Sequence, residues 1–216
     1  MANDWFRKTT WSEADQADFF ARLKRSRGAG MKAQYLRIQA SHLEGTNEPE
    51  LVQAALILLD KMFAEFPEKN ELASAFKQKA ECLAFLGKPE QAVDCYRLAL
   101  DAERNHPRVR TRAWVEFGRF VCDRKMTALF DEAIAVIDEM KFEDALLYPV
   151  DVFEMSGVRA IVAAHKGDSS SAKAFASNSL EASAKTNSGL RYHPTIGLVR
   201  DKETPFYKSV AALAKN

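Results

Sequence analysis

The sequence predicts an all-α protein of stacked helical hairpins, and two observations support this prediction. Apolar residues recur with a period near 3.6 along most of the 216 residues, whereas the alternation typical of strands is nearly absent. In addition, an alanine followed four positions later by another apolar residue recurs at intervals of 37, 41 and 39 residues. These alanines are Ala55, Ala92, Ala133 and Ala172. Self-similarity at such an interval is typical of helical repeats, in which each hairpin buries its apolar face against the next.

The bulk composition is that of a globular protein. Hydrophobic residues make up 47% of the chain and charged residues 28%, which excludes extensive disorder. The 31 Lys and Arg residues balance 30 Asp and Glu residues, so the net charge favours neither nucleic acid nor a membrane surface as a partner. The longest apolar runs, such as residues 54–59, are too short to span a membrane, and residues 1–10 lack the apolar core of a secretory signal.

The three cysteines, Cys82, Cys95 and Cys122, indicate a reducing compartment. Their number is odd, and they have neither CxxC spacing nor histidines at metal-ligand spacing. We therefore interpret them as buried thiols and expect a soluble, cytoplasmic protein.

Helix ends are visible along the chain. The first helix is predicted to begin after Ser12, an N-cap residue followed by acidic residues, and to end in basic residues before Gly28. A second helix is expected from about Met31 to Leu43. The next helices are predicted at Pro49–Phe66, Glu71–Leu86, Pro89–Glu103, Arg108–Arg124, Ala128–Met140, Pro149–Lys166 and Ser169–Lys185.

The C-terminal part is predicted to contain an irregular segment, residues 186–203, and then a short helix opened by Thr204 and Pro205. Phe206, Val210 and Leu213 share one face of this helix, which either covers the last hairpin or pairs with a second copy of the chain. No linker divides the chain. We therefore predict one domain over 1–216, with a capping segment at 1–30, four hairpins at 31–186 and an irregular segment with a capping helix at 187–216.

Two stretches carry a more specific pattern of large and small residues. One is W-x2-F-G-x2-V, formed by Trp114, Phe117, Gly118 and Val121. The other combines Phe76, Ala80, Leu83, Gly87, Ala92, Tyr96 and Ala99. This pattern resembles the tetratricopeptide repeat, whose ~34-residue unit carries W-x2-L-G-x2-Y on its first helix and A-x3-F on its second. The resemblance implies a right-handed α-solenoid of about four to five stacked antiparallel helix pairs.

The resemblance also implies a site, because the first helix of each hairpin then lines a concave groove that takes a peptide or a partner's tail. The residues facing it would be Arg37, Ser41, Glu44, Lys77, Glu81, Phe85, Arg112, Arg119, Asp123, Glu154, Gly157 and Ile161. From this surface, together with Arg108 at the start of the predicted helix 108–124, we select as candidate partner-binding residues Arg37, Lys77, Glu81, Arg108, Arg112 and Arg119.

Arginines are concentrated in the predicted helix 108–124. Arg108, Arg112 and Arg119 follow each other at spacings of four and seven, which places them on one helical face. One interpretation is a solvated face whose arginines meet neighbouring carboxylates. The other is a clamp for carboxylate or phosphate groups centred on Arg112 and Arg119, because guanidinium groups bind such oxygens bidentately.

The N-terminal aromatic residues Trp5, Phe6 and Trp11 also allow two interpretations. They form an exposed anchor for a partner, or they fold back over the open end of the first hairpin. We favour the second, because the terminal units of a repeat array need a cover.

No pattern of residues indicates catalysis. The four histidines are far apart, and the sequence contains no HExxH, GxSxG or glycine-rich phosphate loop. We therefore expect a non-enzymatic protein without a cofactor or metal, which binds another protein or peptide, with an acidic partner as one option. Two alternatives are an immunity or antitoxin-type protein that neutralises a dedicated enzyme, and nucleic-acid binding through the basic residues 104–125, which interspersed acidic residues disfavour. No membrane partner is expected, and a homo-oligomer remains open.

Overall fold

The computed structural model describes residues 4–140 and 147–215, and over these residues the regular secondary structure is helical throughout. Ten α-helices are present, and a 3-10 turn at Thr127–Leu129 precedes the seventh. They are α1 Glu13–Arg25, α2 Ala29–Glu44, α3 Pro49–Glu65, α4 Lys69–Phe85, α5 Pro89–Asn105, α6 Ala113–Asp123, α7 Phe130–Glu139, α8 Pro149–His165, α9 Ser169–Ala184 and α10 Pro205–Lys215. The predicted all-α class is confirmed. None of these helices is both long and apolar enough to cross a membrane.

The chain divides after Ala113 into two compact units. In the first unit α2 packs on α3, and α4 packs on α5. In the second unit α8 packs on α9, and α10 packs against both. Pairing of neighbouring helices is the arrangement that a helical repeat requires. The single domain over 1–216 and the right-handed superhelix concern how the units are placed relative to each other, and they stay predictions.

Most helix starts follow from local chemistry and agree with the sequence analysis. The Ser12 hydroxyl accepts a hydrogen bond from the Asp15 N–H at 3.2 Å, and the Asp15 carboxylate accepts one from the Ser12 N–H at 3.1 Å. Hydrogen bonds from Lys8, and then from Ser12 and Thr10, lower the pKa of Asp15. Proline is the first residue of α3, α5, α8 and α10, because the first turn of a helix tolerates the missing N–H.

The sixth helix differs from its prediction. It begins at Ala113 and not at Arg108, so residues 106–112 form a connecting segment. Two interactions explain the later start. The Ala113 N–H donates to the Thr111 hydroxyl at 3.0 Å, and the Thr111 N–H donates to the Glu103 carboxylate at 3.0 Å. The predicted helical face shared by Arg108, Arg112 and Arg119 is therefore wrong, since only Arg119 lies on α6.

The N-terminal aromatic residues fold back over the first hairpin, which confirms the favoured interpretation. The Trp5 ring lies 4.8 Å from the Tyr35 ring and 5.3 Å from the Phe19 ring, measured between centroids. The Trp11 ring lies 5.4 Å from the Phe19 ring. These contacts cover α1 and α2 at the start of the chain, as terminal units of helical repeats require.

The C-terminal helix covers its own unit. Phe206 and Val210 of α10 are 1% and 0% exposed, so these two members of the predicted stripe do not offer an open pairing surface. The contact depends on Gly157 of α8. A Cβ atom at this position would lie 2.7 Å from two carbons of the Phe206 ring.

We predict that Gly157→Ala destabilises the protein by about 1–3 kcal/mol, because the added methyl group overpacks the contact with Phe206. Thermal or urea unfolding measures this change. Gly30→Ala is the matched control, since Gly30 is also helical and a Cβ there meets no atom within 4 Å. Equal stability of the two variants would contradict the close approach of α8 and α10.

Candidate partner-binding surface

One polar cavity of about 290 Å³ lies in the first unit, between α2, α4 and the segment 106–112. We call it the α2–α4 cavity. It is lined by Arg37, Ser41, Glu44, Ser74, Lys77, Gln78, Glu81, Arg110, Thr111 and Arg112. Four of the six candidate partner-binding residues are thus brought together: Arg37, Lys77, Glu81 and Arg112.

Helical spacing places these side chains on one surface. Arg37, Ser41 and Glu44 follow each other at intervals of four and three, which is one stripe of α2. The adjacent stripe contains Leu36 and Ala40, which are fully buried. The amphipathic register that builds the core therefore also aims the polar stripe at the cavity, and α4 uses the same spacing.

Ion pairs fix two of the basic side chains at the cavity. The Arg37 Nε–H donates to the Glu71 carboxylate at 2.5 Å, and the Lys77 ammonium donates to the Glu81 carboxylate at 2.7 Å. The Arg37 guanidinium carries five N–H donors, so the bond to Glu71 leaves donors for a ligand. The lining contains four basic and two acidic residues, which gives an excess of two positive charges.

Glu103 holds the segment 106–112 against this surface. Its carboxylate accepts hydrogen bonds from both the N–H and the hydroxyl of Thr111. Burial raises the pKa of Glu103 above its ordinary value, although the bonds from Thr111 act in the opposite direction. The anchored segment carries Arg110 and Arg112, so Glu103 positions two basic residues of the cavity.

Sequence reasoning missed four cavity residues, Ser74, Gln78, Arg110 and Thr111. Ser74 and Gln78 could have been predicted from helical spacing, because they lie three positions before Lys77 and Glu81 of α4, respectively. Arg110 was missed because a helix that begins at residue 108 would place it on a different face from Arg108 and Arg112. A threonine two residues before the helix was the available signal for the later start.

The other two candidate residues lie elsewhere. Arg108 is exposed in the segment 106–112 and does not line the cavity. Arg119 belongs to the second unit, where its guanidinium donates to the Glu154 carboxylate at 2.5 Å and lies 3.6 Å from the Asp123 carboxylate. It also stands 5.4 Å from the centroid of the Phe206 ring. Burial raises the pKa of Asp123, while Arg119 acts to lower it.

The face predicted to be the groove is covered in the second unit. The Glu154 side chain is 3% exposed, and Gly157 is buried beneath α10. The prediction that these two residues face an open groove is therefore wrong, because the C-terminal helix packs on this face. In the first unit, Phe85 remains 44% exposed at the end of α4, four residues beyond Glu81.

A larger cavity of about 430 Å³ lies in the second unit. It includes Ile134, Val162 and Phe175, and an ion pair between Arg159 and Asp138 at 2.7 Å crosses its edge. Its wall is mainly apolar and contains no buried polar atom that lacks a partner. We regard the α2–α4 cavity as the better candidate, because its donors and charges specify a ligand.

Within residues 4–140 and 147–215, no group of three or more His, Cys, Asp or Glu residues could hold a metal ion. The three cysteines are buried free thiols. Burial raises the pKa of Cys122 to about 12 and also raises the pKa values of Cys82 and Cys95. None of them is therefore a thiolate near neutral pH, the form in which cysteine acts as a nucleophile.

No family model matches this chain, and neither a curated protein nor a solved structure matches it.

We predict that Arg119→Ala destabilises the protein by about 3 kcal/mol, because it leaves the buried Glu154 carboxylate without this partner. Urea unfolding measures the loss. Combining Arg119→Met with Glu154→Leu should restore most of it, since both charges are then absent. Lys208→Ala, which removes an exposed ion pair with Glu203, is the control and should change the stability by less than about 0.5 kcal/mol. A loss as small as that of the control would contradict a structural role for Arg119.

We predict that Glu103→Ala costs about 1–2 kcal/mol and speeds hydrogen exchange at the Thr111 N–H, because both groups of Thr111 lose their acceptor. Glu103→Gln keeps a carbonyl acceptor and should hold the segment in place.

The pH dependence of the stability distinguishes Glu103→Gln from the parent protein. The folded state raises the pKa of Glu103 and so binds its proton more tightly than the unfolded state does. The contribution of Glu103 to stability therefore falls as the pH rises through the folded-state pKa. Glu103→Gln lacks this term, so its stability relative to the parent should increase between about pH 4 and pH 7. A constant difference would contradict the raised pKa.

Proposed function

We propose that this protein is a non-enzymatic binding protein whose α2–α4 cavity receives a segment of a partner protein. One observation carries the proposal: four residues chosen as groove-facing from the repeat pattern, Arg37, Lys77, Glu81 and Arg112, line one cavity. The pattern and the geometry are independent, and they select the same surface. We further propose that the hairpins are tetratricopeptide-like repeats and that the protein acts in the reducing cytoplasm, which the three free thiols support.

The second unit supports the proposal by contrast. There, Gly157, one of the residues predicted to face the groove, lies beneath Phe206 and Val210 of α10. In the first unit, the corresponding face carries charged side chains around an open cavity. In the second unit, a segment of the same chain covers this surface. We infer that in the first unit the corresponding surface is covered by a segment of a partner protein.

The two alternatives differ in their support. Neutralisation of a dedicated enzyme would use the same kind of surface. It is therefore a special case of the proposal, and testing it requires the enzyme to be identified. Nucleic-acid binding through residues 104–125 would need a continuous row of cations. Arg104 bonds to Asp101 at 2.6 Å and Arg119 to Glu154 at 2.5 Å, which weakens this alternative.

The combined charge reversal Arg110→Glu with Arg112→Glu tests the proposal. We expect it to abolish capture of a specific partner by the immobilised chain, measured by mass spectrometry of proteins retained from native lysate. The stability should change by no more than about 0.5 kcal/mol, because neither residue is buried. Lys173→Glu with Lys185→Glu makes the same change of charge on exposed residues of the second unit and is the control. Undiminished capture by the first variant, or equal loss in both, would refute the proposal.

A further inference from the structure

Gln78 is a wall residue of the α2–α4 cavity whose amide nitrogen has no hydrogen-bond partner. The residue is 6% exposed, and its Nε2 atom is shielded from water and bonds to no described atom. A buried amide N–H group without an acceptor lowers the stability of the fold, and buried polar groups with no partner are uncommon. A half-turn of the amide exchanges its nitrogen and oxygen, so the group can offer its donor to the cavity.

Among the described residues the other buried glutamine is Gln39, and both ends of its amide make a hydrogen bond. Gln39 is 0% exposed, its Oε1 accepts from the Lys8 N–H at 3.0 Å, and its Nε2 donates to the Lys8 carbonyl oxygen at 2.7 Å. A primary amide thus binds both backbone groups of one residue in an irregular segment that crosses a helix. Gln78 has the same chemistry, but the irregular segment at its cavity, residues 106–112, makes no hydrogen bond to its Nε2 atom.

The charges around Gln78 restrict which segment fits. Lys77 precedes it on α4, and Arg110 and Arg112 reach the same cavity from the anchored segment 106–112. With four basic and two acidic residues in the lining, the cavity favours a ligand of net negative charge. Such a ligand offers a carbonyl oxygen to the Gln78 amide and carboxylates to the cations.

We propose that the α2–α4 cavity binds an internal acidic segment of a partner protein, with the Gln78 amide bonded to a backbone carbonyl of that segment. Lys77 and Arg112 face its Asp or Glu side chains. This inference rests on the proposed function and adds the chemistry of the partner. It assigns to Gln78 the backbone contact that Gln39 makes with Lys8.

Synthetic peptides with acetylated N-termini and amidated C-termini test this proposal on the full-length chain. One set carries Asp and Glu at alternate positions, and a matched set carries Asn and Gln at the same positions. We expect fluorescence polarisation to detect binding of the acidic set alone. Gln78→Leu should weaken that binding about fivefold to tenfold, the effect of one lost neutral hydrogen bond.

The melting temperature separates this role from a structural one. Gln78→Leu removes an amide that has no partner, so the variant should melt at the parent temperature or above it. Gln78→Met, which is longer and unbranched, should behave in the same way and serves if the leucine does not fit the site. Gln39→Leu is the matched control: it should melt at a lower temperature, since Lys8 loses its partner, and bind the acidic peptide as the parent does.

Each other outcome counts against the proposal in a distinct way. If no peptide binds the parent chain, this inference is refuted, whereas the proposed function is decided by the capture experiment with the Arg110→Glu and Arg112→Glu variant. If the acidic set binds the parent and the Gln78 variants equally well, the role of Gln78 is refuted while the proposed function stands. A third set repeats the acidic sequences with a free C-terminal carboxylate. If this set binds and the amidated acidic set does not, the proposal of an internal segment is refuted. If both Gln78 variants melt at lower temperatures, the amide has a structural role and the assignment is wrong.

Discussion

The close approach of paired helices at small residues is the constraint on which the rest of this structure depends. Ala55, Ala92 and Ala133 are fully buried, and a Cβ atom at Gly118 would lie 3.2 Å from a methyl group of Val158. At these positions side-chain volume sets the distance between helix axes, because protein interiors are packed without room to spare. Such a hairpin cannot bury its outer apolar face by itself, and it buries this face against a neighbouring helix. The polar stripes on the remaining faces are fixed by the same register.

Charged residues serve two different purposes in the two units. In the second unit, Arg119 and Glu154 form an internal pair, with Glu154 only 3% exposed. In the first unit, charges surround an open cavity, and one of its wall residues, Gln78, keeps a buried donor without a partner. Saturated polar groups stabilise a fold, whereas a donor left without an acceptor lowers its stability. The position of an unmatched donor in the wall of an open, charged cavity is the physical basis for placing the binding surface in the first unit.

Sequence reasoning located every helix of the described residues, and most of the ends agree to within about two residues. Its success has a local cause: caps such as Ser12, prolines such as Pro49 and the 3.6-residue period act within a few positions of the chain. It failed where a tertiary contact decided the outcome. The segment 106–112 is held by the Glu103 carboxylate, eight residues before Thr111, and no local pattern announces that bond. Because α6 begins at Ala113, Arg108 and Arg112 lie outside it and share no helical face with Arg119.

The sequence alone determined the all-α class, the pairing of neighbouring helices and three of the candidate residues at the cavity, Arg37, Lys77 and Glu81, because each follows from helical spacing. Tertiary structure alone decided which faces stay open. Gly157 and Glu154 have the spacing of groove residues, yet α10 covers Gly157, since the apolar face of that helix must be buried somewhere, and Glu154 is buried in an ion pair with Arg119. Tertiary structure also decided that the Gln39 amide has a partner while the Gln78 Nε2 atom has none among the described residues, because the segment that reaches Gln39 is more than 30 residues away along the chain. Periodicity specifies the direction of a side chain, and only the folded chain specifies what that side chain meets.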